Sequence, residues 1–152
     1  MNSTVKNCAF SGHRHSIGDL NLQLLDRVVL NLMKTGIKNF YCGMAVGFDL
    51  AAAESVLKYK NEYGARLFAC IPCNGQSDGY SAKNKQRYDY ILQSCDGEIV
   101  ISDEYHRGCM LARDRFLIKN CGVLVCFLRK EKGGTYYTVN YARQKNIKII
   151  EL

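Results

Sequence analysis

Residues 39–54 read NFYCGMAVGFDLAAAE. The run from Asn39 to Gly43 carries Phe40 and Tyr41, aromatic residues that suit a pleated strand. Gly43 and Gly47 bracket a short turn, and Asp49 opens an Ala-rich run that ends at Gly64, which predicts a helix closed by a glycine. Strand, glycine turn and helix in immediate succession are the first half of a βαβ unit. Downstream, RLFACI (66–71) is the next strand. Upstream, VKNCAF (Val5 to Phe10) is the first, and Leu25, Val28, Val29, Leu32 and Met33 form the apolar stripe of an amphipathic helix that stops at Gly36.

The same alternation continues to the end of the chain. Tyr88, Ile91, Leu92 and Cys95 mark a third helical stripe, and GEIVIS (97–102) a fourth strand. MLARDRFLIKN (110–120) is a helix, GVLVCFL (122–128) a strand, Thr135 to about Lys145 a last helix, and IKIIEL (147–152) a sixth strand. Six strands separated by five helical patterns call for a Rossmann-like three-layer α/β/α sandwich around a mainly parallel sheet, with residues 1–152 forming one domain. Right-handed crossovers place every strand-to-helix loop at one sheet edge, where ligands bind in open α/β sheets.

The bulk composition narrows the class. The chain has 152 residues, 47% hydrophobic and 23% charged, which is ordinary for a globular protein. No apolar run approaches the roughly 18 residues of a membrane span, and MNSTVKNCAF lacks the apolar core of a signal peptide, so the expected compartment is the cytoplasm. Of the eight cysteines, Cys8, Cys42, Cys70, Cys121 and Cys126 lie in or beside apolar strand-like runs, where a reduced thiol packs as a small hydrophobe. Cys70 and Cys73 form a CxxC, but Cys70 is inside a strand and not at a helix start, so no redox or metal site is expected. The net charge of +7 favours an anionic partner without choosing between a small phosphate and a polymer.

Function should therefore lie in the loops. After the first strand, Ser11 and Gly12 allow a tight turn with free amides, and His13 and Arg14 add donors; the guanidinium fork suits a phosphate. After the second, Gly43 allows unusual φ/ψ and Gly47 allows close backbone approach at a helix start. Asp49 is a cap, an acceptor for ribose hydroxyls or a support for a neighbouring loop. Glu54 lies too deep in the helix to meet a phosphate. After the fifth strand, Gly133, Gly134 and Thr135 open a helix and form an anion-binding nest; the plainer reading is a Thr135 cap behind a glycine loop. Gln76 on the loop after strand three, Tyr105 as a stacking ring, and Arg113 with Asp114 early in the fourth helix could close the site. For Arg113 and Asp114 the plainer reading is surface charge.

Taken together, SGHR, GxxxGxDxxAAE, MxxRD and GGTxxxVxYA resemble the SLOG superfamily, and most nearly its YpsA-like branch of unknown function. The resemblance spans nearly the whole chain. It implies a Rossmann-like fold, a nucleotide or nucleotide-derived ligand, and site residues Ser11, Gly12, His13, Arg14, Gly43, Gly47, Asp49, Arg113, Asp114, Gly133, Gly134 and Thr135. The related cytokinin-activating hydrolases use a PGGxGTxxE motif. Here no Pro precedes Gly133, and Tyr137 and Thr138 stand where the acidic residues would be, which argues against transferring N-glycosidic cleavage.

The leading expectation is a domain that binds or senses a nucleotide or an NAD- or ADP-ribose-like molecule, with no certain cofactor and no metal. The first rival is a phosphoribohydrolase-type enzyme using Asp49 or Glu54. The second is a single-stranded nucleic-acid binder like the DNA processing protein A group of the same superfamily. Related Rossmann-like proteins often form dimers, so a homodimer is one candidate assembly, and the sequence leaves the oligomeric state open.

Overall fold

The apolar stripe of the first helix packs where its spacing directs it. In the computed structural model, which describes residues 3–152, Leu25, Val29, Leu32 and Met33 are buried on one side of a sheet. Burying each such side chain contributes roughly 1.5–3 kcal/mol. The strands are β1 (Asn7–Gly12), β2 (Asn39–Cys42), β3 (Arg66–Ile71), β4 (Gly97–Val100), β5 (Val123–Phe127) and β6 (Lys148–Glu151). The helices are α1 (Leu22–Lys34), α2 (Phe48–Tyr63), α3 (Ala82–Ser94), α4 (Cys109–Lys119) and α5 (Gly134–Gln144). All the strands pair in parallel, in the order β4-β3-β2-β1-β5-β6.

From β1 the chain first winds toward β4 with α1, α2 and α3 on one face. It then crosses back to β5 and β6 with α4 and α5 on the other. Each face has its own core: Phe10, Phe40, Phe48 and Leu67 with their neighbours under the first three helices, and Leu117, Leu124, Val139 and Ala142 under the other two. The reversal between β1 and β5 is a topological switch point, where helices on opposite faces leave a crevice at the carboxyl ends of the strands. No helix among the described residues is long and apolar enough to cross a membrane.

Two local readings are corrected. The first strand begins at Asn7 and not Val5; Ser3–Lys6 form a 3₁₀ turn, and Val5 is exposed. The strand also runs further than its apolar pattern suggests, because Ser11 and Gly12 pair with Cys126 and Phe127 of β5. They extend the ladder and do not form a tight turn. Gly12 is needed because Phe48 packs directly against its Cα, leaving no room for a side chain.

Candidate functional site

Helix starts are where this fold leaves backbone donors free, and the five starts here differ. α1 and α3 are capped by side chains: Asn21 accepts from the Leu24 amide and Ser81 from the Asn84 amide. α2, α4 and α5 have glycine caps, Gly47, Gly108 and Gly133, with no side-chain cap. In α2 the Phe48 amide donates to the His13 carbonyl (3.1 Å), and in α4 the Cys109 amide donates to the His106 carbonyl (3.1 Å). In α5 the first amide with a protein partner is that of Tyr137, which donates to the Gly133 carbonyl (3.0 Å). The amides of Gly134, Thr135 and Tyr136 therefore point out of the positive end of the helix dipole with no acceptor among the described residues. Thr135 is buried inside the first turn and does not cap it.

That helix start opens into a cleft of about 350 Å³ over the β1–β5 switch point. Its walls are Phe10 to Arg14, Ala45 and Asp49, Met110, Leu111, Arg113 and Asp114, and Lys132 to Thr135. Ser11, Gly12, His13, Arg14, Asp49, Arg113, Asp114, Gly133, Gly134 and Thr135 thus meet around one cavity, as their loop positions predict. Gly43, Gly47 and Gln76 do not line it, and Tyr105 is exposed on a separate loop. Met110, Leu111, Ala45 and Lys132 are wall residues that the motif reading passed over. Gly108 and Gly133, glycines directly before helices with no Ser, Asp or Asn to cap them, were the available signal.

The loop between β2 and α2 forms the floor, and it is braced from every side. The Gly43 carbonyl accepts from Arg113 Nη1 and from Gln76 Nε2 (2.9 Å), and Gln76 is itself held by the Tyr88 hydroxyl (3.1 Å). The Tyr80 hydroxyl donates to the Met44 carbonyl (2.9 Å), and Asp49 Oδ2 accepts from the Ala45 amide (3.2 Å). The unusual backbone falls at Met44 (φ 64°) and Gly47 (φ 82°), not at Gly43. Gly43 is required for another reason: a Cβ there would lie 2.7 Å from Arg113 Nη1. Gly47 does make a close approach, but to the chain's own β1 loop, since a Cβ would lie 2.5 Å from the Arg14 carbonyl oxygen.

Arg113 is not a surface charge. It is 4% exposed, and its Nε donates to Asp114 (2.7 Å), so the protein engages all but Nη2 of the guanidinium. Asp49 is 5% exposed; its Oδ1 has no partner, and burial lifts its pKa to about 6 against the pull of Arg113. The His13 Nε2 accepts from the Arg129 amide (2.7 Å), which ties the β1 and β5 loops together. Burial, with Lys130 and Arg129 nearby, holds His13 below the usual imidazole range, so it contributes shape and not charge. The free cations are Arg14 and Lys132, both exposed on the rim and in no ion pair among the described residues. Glu54 stands outside the cleft, paired with Arg87. All eight thiols are free, and no cluster of three or more metal-ligating side chains occurs among the described residues.

Fold and cleft together define a Rossmann-like α/β protein with a polar pocket at its switch point. The chain belongs to the YspA SLOG family, whose model matches residues 8–150. No curated protein matches it. Among solved structures it is similar to DNA processing protein A (DprA) from Streptococcus pneumoniae, at 20% identity and a TM-score of 0.70 over 97% of this chain and 50% of that one. It is also similar to DprA from Helicobacter pylori, a structure describing that protein's single-stranded DNA binding mode, at 21% identity and a TM-score of 0.71 over 98% of this chain and 65% of that one. The structural-genomics target TM1055 matches at 16% identity and a TM-score of 0.56, over 95% of this chain and 72% of that one. These likenesses establish the fold, and the chain spans between half and two-thirds of the two DprA chains.

Proposed function

We propose that the cleft binds a nucleotide or nucleotide-derived ligand, of the NAD or ADP-ribose kind, with a phosphate at the start of α5. The observation that carries this reading is the set of three consecutive free amides at Gly134, Thr135 and Tyr136, the first two of them on residues that line a cleft rimmed by the unpaired cations Arg14 and Lys132. Helix-start amides plus cations are the arrangement that holds phosphate oxygens. Binding without turnover is favoured because the two carboxylates that line the cleft are both withdrawn from solvent and tied to the protein. Asp49 is 5% exposed and holds the Ala45 amide through Oδ2, leaving only Oδ1 without a partner; Asp114 is engaged by Arg113, and Glu54 lies outside the cleft.

A second reading is single-stranded nucleic-acid binding, supported by the fold shared with the H. pylori protein and by the net charge of +7. Calorimetric titration of ADP-ribose, AMP and a short oligodeoxynucleotide at two salt concentrations separates the two. For a nucleotide pocket, Arg14→Ala and Lys132→Ala each lose about ten- to a hundredfold, the worth of one charge-assisted contact, while Lys130→Ala and Lys58→Ala lose little. For a strand, every cation contributes modestly and affinity falls steeply with salt in proportion to the phosphates contacted. Equal losses at all four positions with a steep slope would overturn the nucleotide reading.

A further inference from the structure

A second groove, of about 270 Å³, runs along the outer side of α5 and is lined by Gly133, Tyr136, Tyr137, Asn140, Tyr141 and Gln144. Gly133 also lines the main cleft, so the two cavities meet at one residue without a side chain. We propose that this groove seats a nucleobase joined to the phosphate at the α5 start; the inference rests on the phosphate reading of the cleft.

Residues 133, 137, 140, 141 and 144 fall on one helix face at spacings of three and four. Side chains on a helix lean toward its N-terminus, so these tyrosines lean toward the phosphate end. Tyr137 and Tyr141 are held parallel, 3° apart in plane with centroids 6.4 Å apart. Cations at both ends of the pair fix this orientation. Arg115 Nε donates to the Tyr137 hydroxyl (2.7 Å), and its guanidinium carbon is 5.7 Å from that ring's centroid; Lys145 Nζ is 5.4 Å from the centroid of Tyr141. Rings that are ordered before binding lose little freedom when a base stacks on them.

The groove's polar chemistry fits the same occupant. The Gln144 side chain has no hydrogen-bond partner among the described residues, and the Asn140 side chain spends only its oxygen, which accepts from Arg143 (3.1 Å). A side-chain amide presents the donor and acceptor that a base edge complements. No acidic side chain lines the groove, and the cations Arg115 and Lys145 flank its tyrosines, so a phosphate-linked ring meets no repulsion on entering.

The test titrates ribose 5-phosphate, AMP and hexa-deoxyadenylate against the full chain and against a Tyr137→Leu/Tyr141→Leu variant, which keeps apolar volume on the helix. AMP should bind the parent at least tenfold tighter than ribose 5-phosphate. The variant should lose that advantage while binding ribose 5-phosphate as before. Retention of the advantage in the folded variant overturns the groove. Failure of ribose 5-phosphate to bind the parent overturns the phosphate reading instead, and the proposal with it. Should the variant not fold, magnetisation transfer between the base protons of saturating AMP and the tyrosine rings of the parent decides, and its absence overturns the proposal. Hexa-deoxyadenylate binding more tightly than AMP, and losing affinity in the variant, identifies a strand as the source of the base.

Discussion

Replacing Asp49 with Asn should stabilise the protein at neutral pH, and the size of the gain follows from the burial of the carboxylate. Its pKa rises from 3.8 to about 6 on folding, chiefly because the buried group has lost its water, with Arg113 compensating in part. Below pH 3.8 the group is protonated in both states and contributes nothing to the pH dependence. Between the two values the unfolded chain releases its proton while the folded chain holds it, so stability falls as pH rises, and it levels off above about pH 6. The shift of about two units corresponds to about 3 kcal/mol carried as a cost at pH 7 and above. Asn keeps an acceptor for the Ala45 amide and removes the charge. Urea unfolding of parent and Asp49→Asn at pH 4, 6 and 7.5 should give near-equal stability at the lowest pH and a variant more stable by up to about 3 kcal/mol at the highest. By thermal melting that is about 6–12 °C for a chain of this size. A variant less stable at pH 7.5, or a difference that does not change with pH, would show that the Arg113 attraction outweighs desolvation and refute the reasoning.

Gly134→Val should fold like the parent, because a Cβ at 134 meets open space, yet lose nucleotide binding by blocking approach to the α5 amides; normal titration by a folded variant would remove the anion nest. Gly47→Ala should destabilise by at least about 2 kcal/mol in chemical denaturation, since φ is 82° and the new Cβ would strike the Arg14 carbonyl. A thiol reagent should react first with half-buried Cys95 and reach the other seven cysteines only on unfolding, because burial raises thiols such as Cys70, pushed up to about 12.

Much of the architecture was legible because the local signals agree with one another. The α1 stripe, the Ala-rich α2 and the apolar β5 each carry their period in their own residues. Strand order was not legible, since no single segment encodes which strand lies beside β1, and the β1–β5 neighbourhood is what brings the Ser11 and Gly133 loops together. The reasons for individual glycines were hidden for the same cause. Gly12 and Gly43 are glycines because Phe48 and Arg113, distant in sequence, press against them, and neither needs a positive φ. For Arg113 the sequence left a site role and a surface charge both open, because helical spacing does not reveal that its face turns toward Gly43.

The distribution of cost within the site then separates a fixed part from an adjustable part. Met44 holds a left-handed φ with a fully buried side chain, Asp49 keeps an oxygen without a partner, and Arg113 keeps its charge out of water. A backbone in that region costs about 1–3 kcal/mol and persists only where its surroundings over-determine it. Here they do, since Arg113, Gln76, Tyr80 and Asp49 all bond to the Gly43–Ala45 segment. A floor tied by four side chains cannot relax into the cleft without breaking several hydrogen bonds at once, so it supplies shape. The cleft-lining cations Arg14 and Lys132 are exposed and have no such ties. On the proposed phosphate reading, specificity would belong to the braced floor and the α5 amides, and strength of capture to the two unpaired cations.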